Sequence, residues 1–310
     1  MKWNTNLVEL WNDDIRLRRD GKLRDLLDKG SLELPKGSPY IDQTTLRSTD
    51  NFEYNELEVD EMLKVFSNFD RLIENHITIE NSKIKLRGYQ KDMLDKLHLS
   101  SFEIVCHSRQ LGMSMMLRLY ILRCVCVGKD VVVICNNNFV RVDDIKKFKE
   151  LLESLPYYMQ PALKSRSKNN FIFYKSKVVF TNSTLGHEET TVMIFSDAAF
   201  NTKFQLQFEK TVTIRRVSIK KDLQTMVFSG SNIGSYFNKF FLFEKNNPWN
   251  TSYSNFNRTI LTHNVVTRKE NWEDNLRGII GDKQFLIQYS CCMDEKILNR
   301  YDVLRNILNK

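Results

Sequence analysis

Proline and glycine are scarce in this chain, at 5 and 11 among 310 residues. That scarcity excludes collagen-like repeats and Pro/Gly-rich low-complexity sequence, and no internal repeat is visible. Metal-binding patterns are missing as well. The six cysteines (Cys106, Cys124, Cys126, Cys135, Cys291, Cys292) contain no Cys-x-x-Cys pair, and the five histidines stand apart. A structural zinc site is therefore not expected. His187 precedes two glutamates, but no second histidine follows at helical spacing, which excludes the metalloprotease motif. Long apolar runs are absent too: the richest, LRLYILRCVCV, is interrupted by Arg118 and Arg123, so no membrane span is expected. The opening MKWNTNLVELWND is too polar for a signal peptide. These absences lead to the expectation of a soluble, reduced, cytoplasmic protein.

What is present points to an ordered core. Hydrophobic residues make up 42% and aromatics 11%, more than a disordered chain carries. With 46 Lys+Arg against 38 Asp+Glu the net charge is +8, which suits a polyanionic partner without requiring one. Residues 1–55 are mixed and charged, with a short helical signal near Asn12 to Leu27 and then a loop, KGSLELPKGSPY; they read as an arm or linker. From Glu58 to Glu74, apolar residues at 59, 62, 63, 66, 69 and 73 predict one helix. A second helix is expected from about Leu86 through GYQKDMLDKL.

Strands and helices then alternate. Phe102 to His107 reads as a short strand. Met115 to Val127 reads as a helix apolar on nearly every side, ended by Gly128, and hence buried. Val131 to Cys135 is a continuous β-branched run expected of a central parallel strand. Asp143 to Leu155 reads as an amphipathic helix with its aspartates in the first turn. Phe171 to Tyr174 and Lys177 to Thr181 form an expected hairpin, and Val192 to Phe195 and Thr225 to Phe228 are further strands. This order implies an α/β domain with a mostly parallel sheet.

The strand Phe102 to His107 feeds the turn SRQLGMS and then the buried helix. Strand, loop and helix in this order let helix N-terminal amides cradle phosphates. The phosphate-loop rule asks for Gly-x-x-x-x-Gly-Lys-Ser/Thr. Here His107 replaces the first glycine and Met113 the lysine, while Gly112 and Ser114 remain. By the rule alone this is no phosphate loop, and a plain strand-to-helix turn is the better reading.

Four words carry more information: LRGYQKDML, VCHSRQLGMS, TVMIFSDAAF and KQFLIQYSC. In order and spacing they resemble the ATPase domain of tailed-phage large terminases, most nearly those of large myoviruses, over roughly Glu58 to Asp294. The resemblance implies an α/β, RecA/P-loop NTPase-like fold, a mostly parallel sheet flanked by helices with a small helical N-terminal part. It divides the chain into an arm (1–55), the NTPase-like domain (56–295) and a helical tail (296–310). It implies nucleotide binding by Gln90, as the adenine-reading residue, and by Ser108, Arg109, Gln110, Leu111, Gly112, Met113 and Ser114. Arg109 would act in cis on the phosphates, and Ser114 and Asp197 would ligate Mg²⁺ beside ATP. A cap on the turn after Asp197 is the other reading of that aspartate. Asn232 and Gly234 in SGSNIGSYF fall where the family has its coupling motif.

The same resemblance exposes departures. Met113 stands where the family has its lysine, and Ala198 where it has the glutamate that orients the attacking water. Phosphoryl transfer relies on positioning and on charge stabilisation, and one lost donor costs roughly 2.7–4 kcal/mol of barrier. Catalytic roles for Arg109 and Asp197 are thus put in question, and hydrolysis is expected to be nearly abolished unless Arg109 or Lys129 substitutes. The family's nuclease domain would only begin where this chain ends, so no DNA cleavage is expected. Three readings follow: a catalytically impaired pseudo-ATPase connected with DNA packaging, a functional ATP-binding motor subunit with a variant loop, or a DNA-binding structural or regulatory phage component. A helicase-like translocase would need a second RecA-like domain. Implied partners are double-stranded DNA, bound weakly, a phage portal or other packaging components, and an oligomer of the chain itself. The implied location is the host cytoplasm or the virion.

Overall fold

The strand run that begins at Phe102 is the axis on which the architecture is laid out. The computed structural model describes residues 56–79, 82–218, 222–242 and 256–300. The expected N-terminal arm, and the tail beyond residue 300, lie outside the described residues. Eight strands form one sheet in the order β10-β3-β9-β8-β4-β7-β6-β5: β3 (Phe102–His107), β4 (Val131–Ile134), β5 (Leu163–Arg166), β6 (Asn170–Phe173), β7 (Lys177–Thr181), β8 (Val192–Ser196), β9 (Gln224–Ser229) and β10 (Asn257–Leu261). β1 (Thr78–Ile79) and β2 (Ser82–Lys83) form a separate small ribbon. Pairs β10/β3, β3/β9 and β9/β8 are parallel, while β5/β6 and β6/β7 are antiparallel. The fold is α/β, a mostly parallel sheet flanked by helices.

The chain groups into two compact units, which are described separately. The first holds the described residues up to Leu94 together with Leu117–Val131 and Val142–Phe180. Its opening helix differs from the single one expected: α1 (Glu56–Ser67) and α2 (Phe69–His76) are separated at Asn68. Asn68 takes extended dihedrals and its side chain accepts from the Asp70 amide, so it caps α2 and ends the continuous helix. Glu61 joins the two helices through Arg71 (2.7 Å) and His76 (2.9 Å). α3 (Gly88–Leu99) and α4 (Met113–Cys126) follow.

The two arginines of the mostly apolar α4 are both buried, and each has a polar partner. Arg118 donates to Asp144 at 2.8 Å, and Arg123 donates to the Leu94 carbonyl at 3.2 Å while lying over the Phe69 ring. α5 (Asn138–Glu153) begins five residues before the expected Asp143. Asn137 supplies the cap, its side chain accepting from Val140 N at 2.9 Å, and Asp143 serves instead in an i,i+4 pair with Lys147. The hairpin β6–β7 matches expectation, with Phe171 and Phe180 packed on Phe148 of α5.

The second unit holds Asp95–Met116, Val132–Arg141 and the chain from Thr181 on. β3, β8 and β9 are buried along most of their lengths, as continuous apolar runs demand of central parallel strands. α6 (Phe204–Val217) and α7 (Tyr236–Phe241) pack Phe204, Phe208, Phe237 and Phe240 into one aromatic cluster with Phe195 and Phe256. Arg215, 3% exposed, donates from α6 to the carbonyls of Glu188, Thr190, Thr191 and Gln224 and to the Thr225 hydroxyl. At the start of β3 the fully buried Glu103 is neutralised by Lys96 at 2.8 Å and accepts from Thr259 of β10 at 2.6 Å. α8 (Trp272–Ile280) and α9 (Asp282–Gln288) complete the unit.

Candidate functional site: the loop between β3 and α4

β3 delivers the chain into Ser108–Gly112, and the helix takes over at Met113. Two backbone bonds fix the near side of the loop: Ser108 N donates to Leu261 O at 2.7 Å and Arg109 N to Gln288 O at 3.0 Å. The last residue of β10 and the last residue of α9 thereby hold the loop from outside. Gln110 (φ 60) and Gly112 (φ 71) both take left-handed dihedrals. At Gln110 this costs about 1–3 kcal/mol, strain of the kind that collects at ligand-holding turns. The first helical bond runs from Met116 N to Gly112 O, so the amides of Met113, Ser114 and Met115 have no acceptor within the helix. These amides, at the positive end of a 14-residue helix, are the part of the loop that can receive an anion.

The side chains divide into two sets. Ser108, Leu111 and Met113 are buried, at 1%, 1% and 5% exposure, while Arg109, Gln110 and Ser114 face solvent. The thioether of Met113 is thus a core group, and the position where a phosphate-loop lysine would stand carries no charge. His107, at the first-glycine position, bonds through Nδ1 to Ser108 O at 3.2 Å. Burial lowers its pKa, with the Ser108 carbonyl acting the other way, so it brings no charge to the loop at neutral pH. Lys129 follows the C-terminal end of α4, the end opposite the loop in the chain.

Asp197 follows β8 directly, in the left-handed region (φ 52, ψ 40), and one strand, β9, separates β8 from β3. Its carboxylate makes no capping bond to the turn Ala198–Phe200, the role a purely structural aspartate would have there. That turn is held by others: Ala199 N donates to the Ser229 hydroxyl at 2.9 Å, and the Asn232 amide donates to Ala199 O at 2.9 Å. Burial raises the Asp197 pKa above its ordinary 3.8, while the charge of Arg109 pulls it back down. The charge of the loop arginine is thus felt at the aspartate. Ala198 is 2% exposed, so the position after the aspartate is apolar and packed.

Asn232 and Gly234 (φ 81) follow β9. Through Asn232 this segment is tied to the turn after Asp197, and the two border a cleft of about 660 Å³ lined by Asn201, Gln205, Glu209, Tyr236 and Lys239 among others. Gln90 lies in the other unit, where its side chain accepts from the Arg87 amide at 3.0 Å and so caps the start of α3. One contributor escaped the sequence reading: Arg268 donates to Gln110 O at 3.3 Å and lies over Trp272 at 4.5 Å. The basic pair Arg268–Lys269 just ahead of a tryptophan was the signal available for it. Among the described residues, no group of three or more His, Cys, Asp or Glu side chains could hold a metal ion, and no helix is long and apolar enough to cross a membrane.

Fold and loop together define an α/β domain, a mostly parallel sheet flanked by helices, with a strand–loop–helix turn after β3 and an aspartate directly after β8. No family model matches the chain. Similar solved structures include the large terminase ATPase domain of Thermus phage P74-26 in a mutant form, at 15% identity over 68% of this chain and 95% of that one, TM-score 0.48. They also include the large terminase of a thermophilic bacteriophage, at 12% identity over 66% of this chain and 53% of that one, TM-score 0.48. A third is that same bacteriophage protein in complex with ADP, at 11% identity over 66% and 52%, TM-score 0.47. The match thus spans about half the length of the thermophilic bacteriophage protein. These structural neighbours are phage large terminase proteins at low sequence identity.

Proposed function

We propose that this chain is a terminase-type nucleotide-binding domain of the myovirus kind, connected with phage DNA packaging, that has kept a phosphate-receiving loop and lost hydrolysis. The observation that carries the reading is the burial of Met113 inside a loop whose backbone is still bent through Gln110 and Gly112 and whose helix start still offers amides. Anion binding by amides and a helix dipole needs no lysine, whereas charge stabilisation of a transferred phosphoryl group does. Ala198 removes the second catalytic group, the carboxylate that would orient water. A functional motor with a variant loop is the alternative, and Arg109 beside Asp197 favours it.

Magnesium, if it accompanies ATP, has oxygen donors of the right chemistry in the exposed Ser114 hydroxyl and the uncapped Asp197 carboxylate. Bound there, it would neutralise phosphate charge. Burial disfavours the ionised Asp197 and the charge of Arg109 partly offsets that, towards the form a cation requires. The net charge of +8 supports weak contact with double-stranded DNA, and a portal or another packaging component, or further copies of the chain, would complete a packaging assembly in the host cytoplasm or virion. Calorimetry of the full chain with Mg-ATP tests the nucleotide part: weak saturable binding is expected, and no heat at any accessible concentration would contradict it. For DNA, affinity should fall steeply with salt, and an affinity indifferent to salt would remove the electrostatic argument.

A further inference from the structure

The loop lacks a lysine, yet a cation reaches it from elsewhere in the chain. Arg268 sits between the short 3-10 turn His263–Val265 and α8. Its Nη2 donates to the Gln110 carbonyl at 3.3 Å, across 158 residues of sequence. Gln110 is the loop residue held in the left-handed region, and its carbonyl and the Leu111 amide share one planar trans peptide. The carbonyl and the Leu111 N–H lie in that plane and point in opposite directions, so the guanidinium on the carbonyl fixes the orientation of the whole peptide unit.

Three features separate Arg268 from an ordinary surface arginine. Its guanidinium lies over the Trp272 ring at 4.5 Å, which fixes its plane. Trp272 is itself packed edge-on against Phe285 and Tyr289, so the platform is rigid. Finally, Arg268 Nε is buried and makes no hydrogen bond, a donor left unsatisfied at a cost of about 1–3 kcal/mol. The side chain borders an open cleft of about 360 Å³ that is also lined by His263, Asn264, Lys269 and Asn271. Two carboxylates line this cleft as well; Glu273 is engaged by Arg277 at 2.7 Å, and Asp274 lies in the first turn of α8.

We propose that Arg268 is the phosphate-binding cation of this loop, acting from the β10–α8 connection where a loop lysine would act from position 113, and that its ligand is the terminal phosphoryl group of a nucleoside polyphosphate. A phosphate oxygen in the cleft accepts from the guanidinium Nη protons that the Gln110 carbonyl does not take, the buried Nε being closed to it. Lys269 adds a second positive charge at the mouth of the cleft. The inference rests on the nucleotide-binding reading above and goes beyond it by naming the residue that senses the last phosphate.

The test is calorimetric binding of Mg-ATP and Mg-ADP to the full chain and to its R268Q and R268K variants, with thermal melts of each. Loss of about tenfold or more in ATP affinity for R268Q, with ADP affinity and melting temperature little changed and R268K intermediate, is the expected result. Wild-type binding of ATP that R268Q leaves intact overturns the role of Arg268 while sparing the nucleotide site. Equal losses for ATP and ADP together with a lowered melting temperature make Arg268 a structural prop and also overturn it. If the wild-type chain binds neither nucleotide, the nucleotide-binding reading itself falls and takes this inference with it.

Discussion

Arg109 in the loop and Asp197 at the end of β8 are coupled through their charges: the arginine lowers the aspartate's pKa, which burial has raised above 3.8. An acid whose folded pKa is raised binds its proton more tightly in the folded state. Stability is then highest below the unfolded pKa and declines as pH rises through the interval up to the folded one. Ionising Asp197 in the folded protein therefore costs stability.

D197N should therefore raise the melting temperature at pH 7, with the gain shrinking as pH falls toward 4. Asparagine accepts the left-handed backbone of this position at least as well as aspartate, so any pH-independent part of the gain reports the backbone and the pH-dependent part reports the charge. A melting temperature difference that does not vary with pH would show that Asp197 is not held at a raised pKa.

M113K places an ammonium where a thioether is 5% exposed. Without ligand the variant should lose stability, by about 1–3 kcal/mol, unless the new side chain swings into the loop. With Mg-ATP it should recover part of that loss and bind nucleotide more tightly than the wild type. Paired melts with and without nucleotide read both effects. A variant as stable as the wild type and no tighter for ATP would mean that the loop cannot direct any cation at phosphates from position 113.

R215A should cost about 2–4 kcal/mol in denaturant unfolding, because one buried and three half-buried carbonyls would lose a charged donor at once. Burial already lowers the arginine's pKa to about 10, a measure of how fully its charge is withdrawn from water. Retention of wild-type stability would show that water enters and satisfies those carbonyls.

Much of the fold follows directly from local patterns. β3 and β8 are apolar runs bounded by polar residues, and their limits agree with the expected ones to within a residue. Edge strands were not legible: β5 (LKSR) and β10 (NRTIL) show mostly exposed residues and owe their conformation to a neighbour, Phe173 of β6 and Ile104 of β3 among the paired positions. The helix break at Asn68 and the early start of α5 at Asn138 were missed for one reason. A capping asparagine competes locally with helix continuation, and an apolar periodicity count does not register it.

The site divides in the same way. The strand–loop–helix order after β3 and the place of Asp197 directly after β8 could be read from the sequence. Gln90 could be placed on a helix start, but not its bond to the Arg87 amide. Arg268 could not be found from loop spacing at all, because its contact with Gln110 exists only once β10 has paired with β3 and turned the chain back toward the loop.

The central claim is that this loop binds but does not turn over nucleotide, and steady-state phosphate release from the purified full chain with Mg-ATP, with and without double-stranded DNA, tests it most directly. The account predicts release indistinguishable from a protein-free control in both conditions. DNA-stimulated release that D197A abolishes would contradict it and make the chain a working motor with a variant loop.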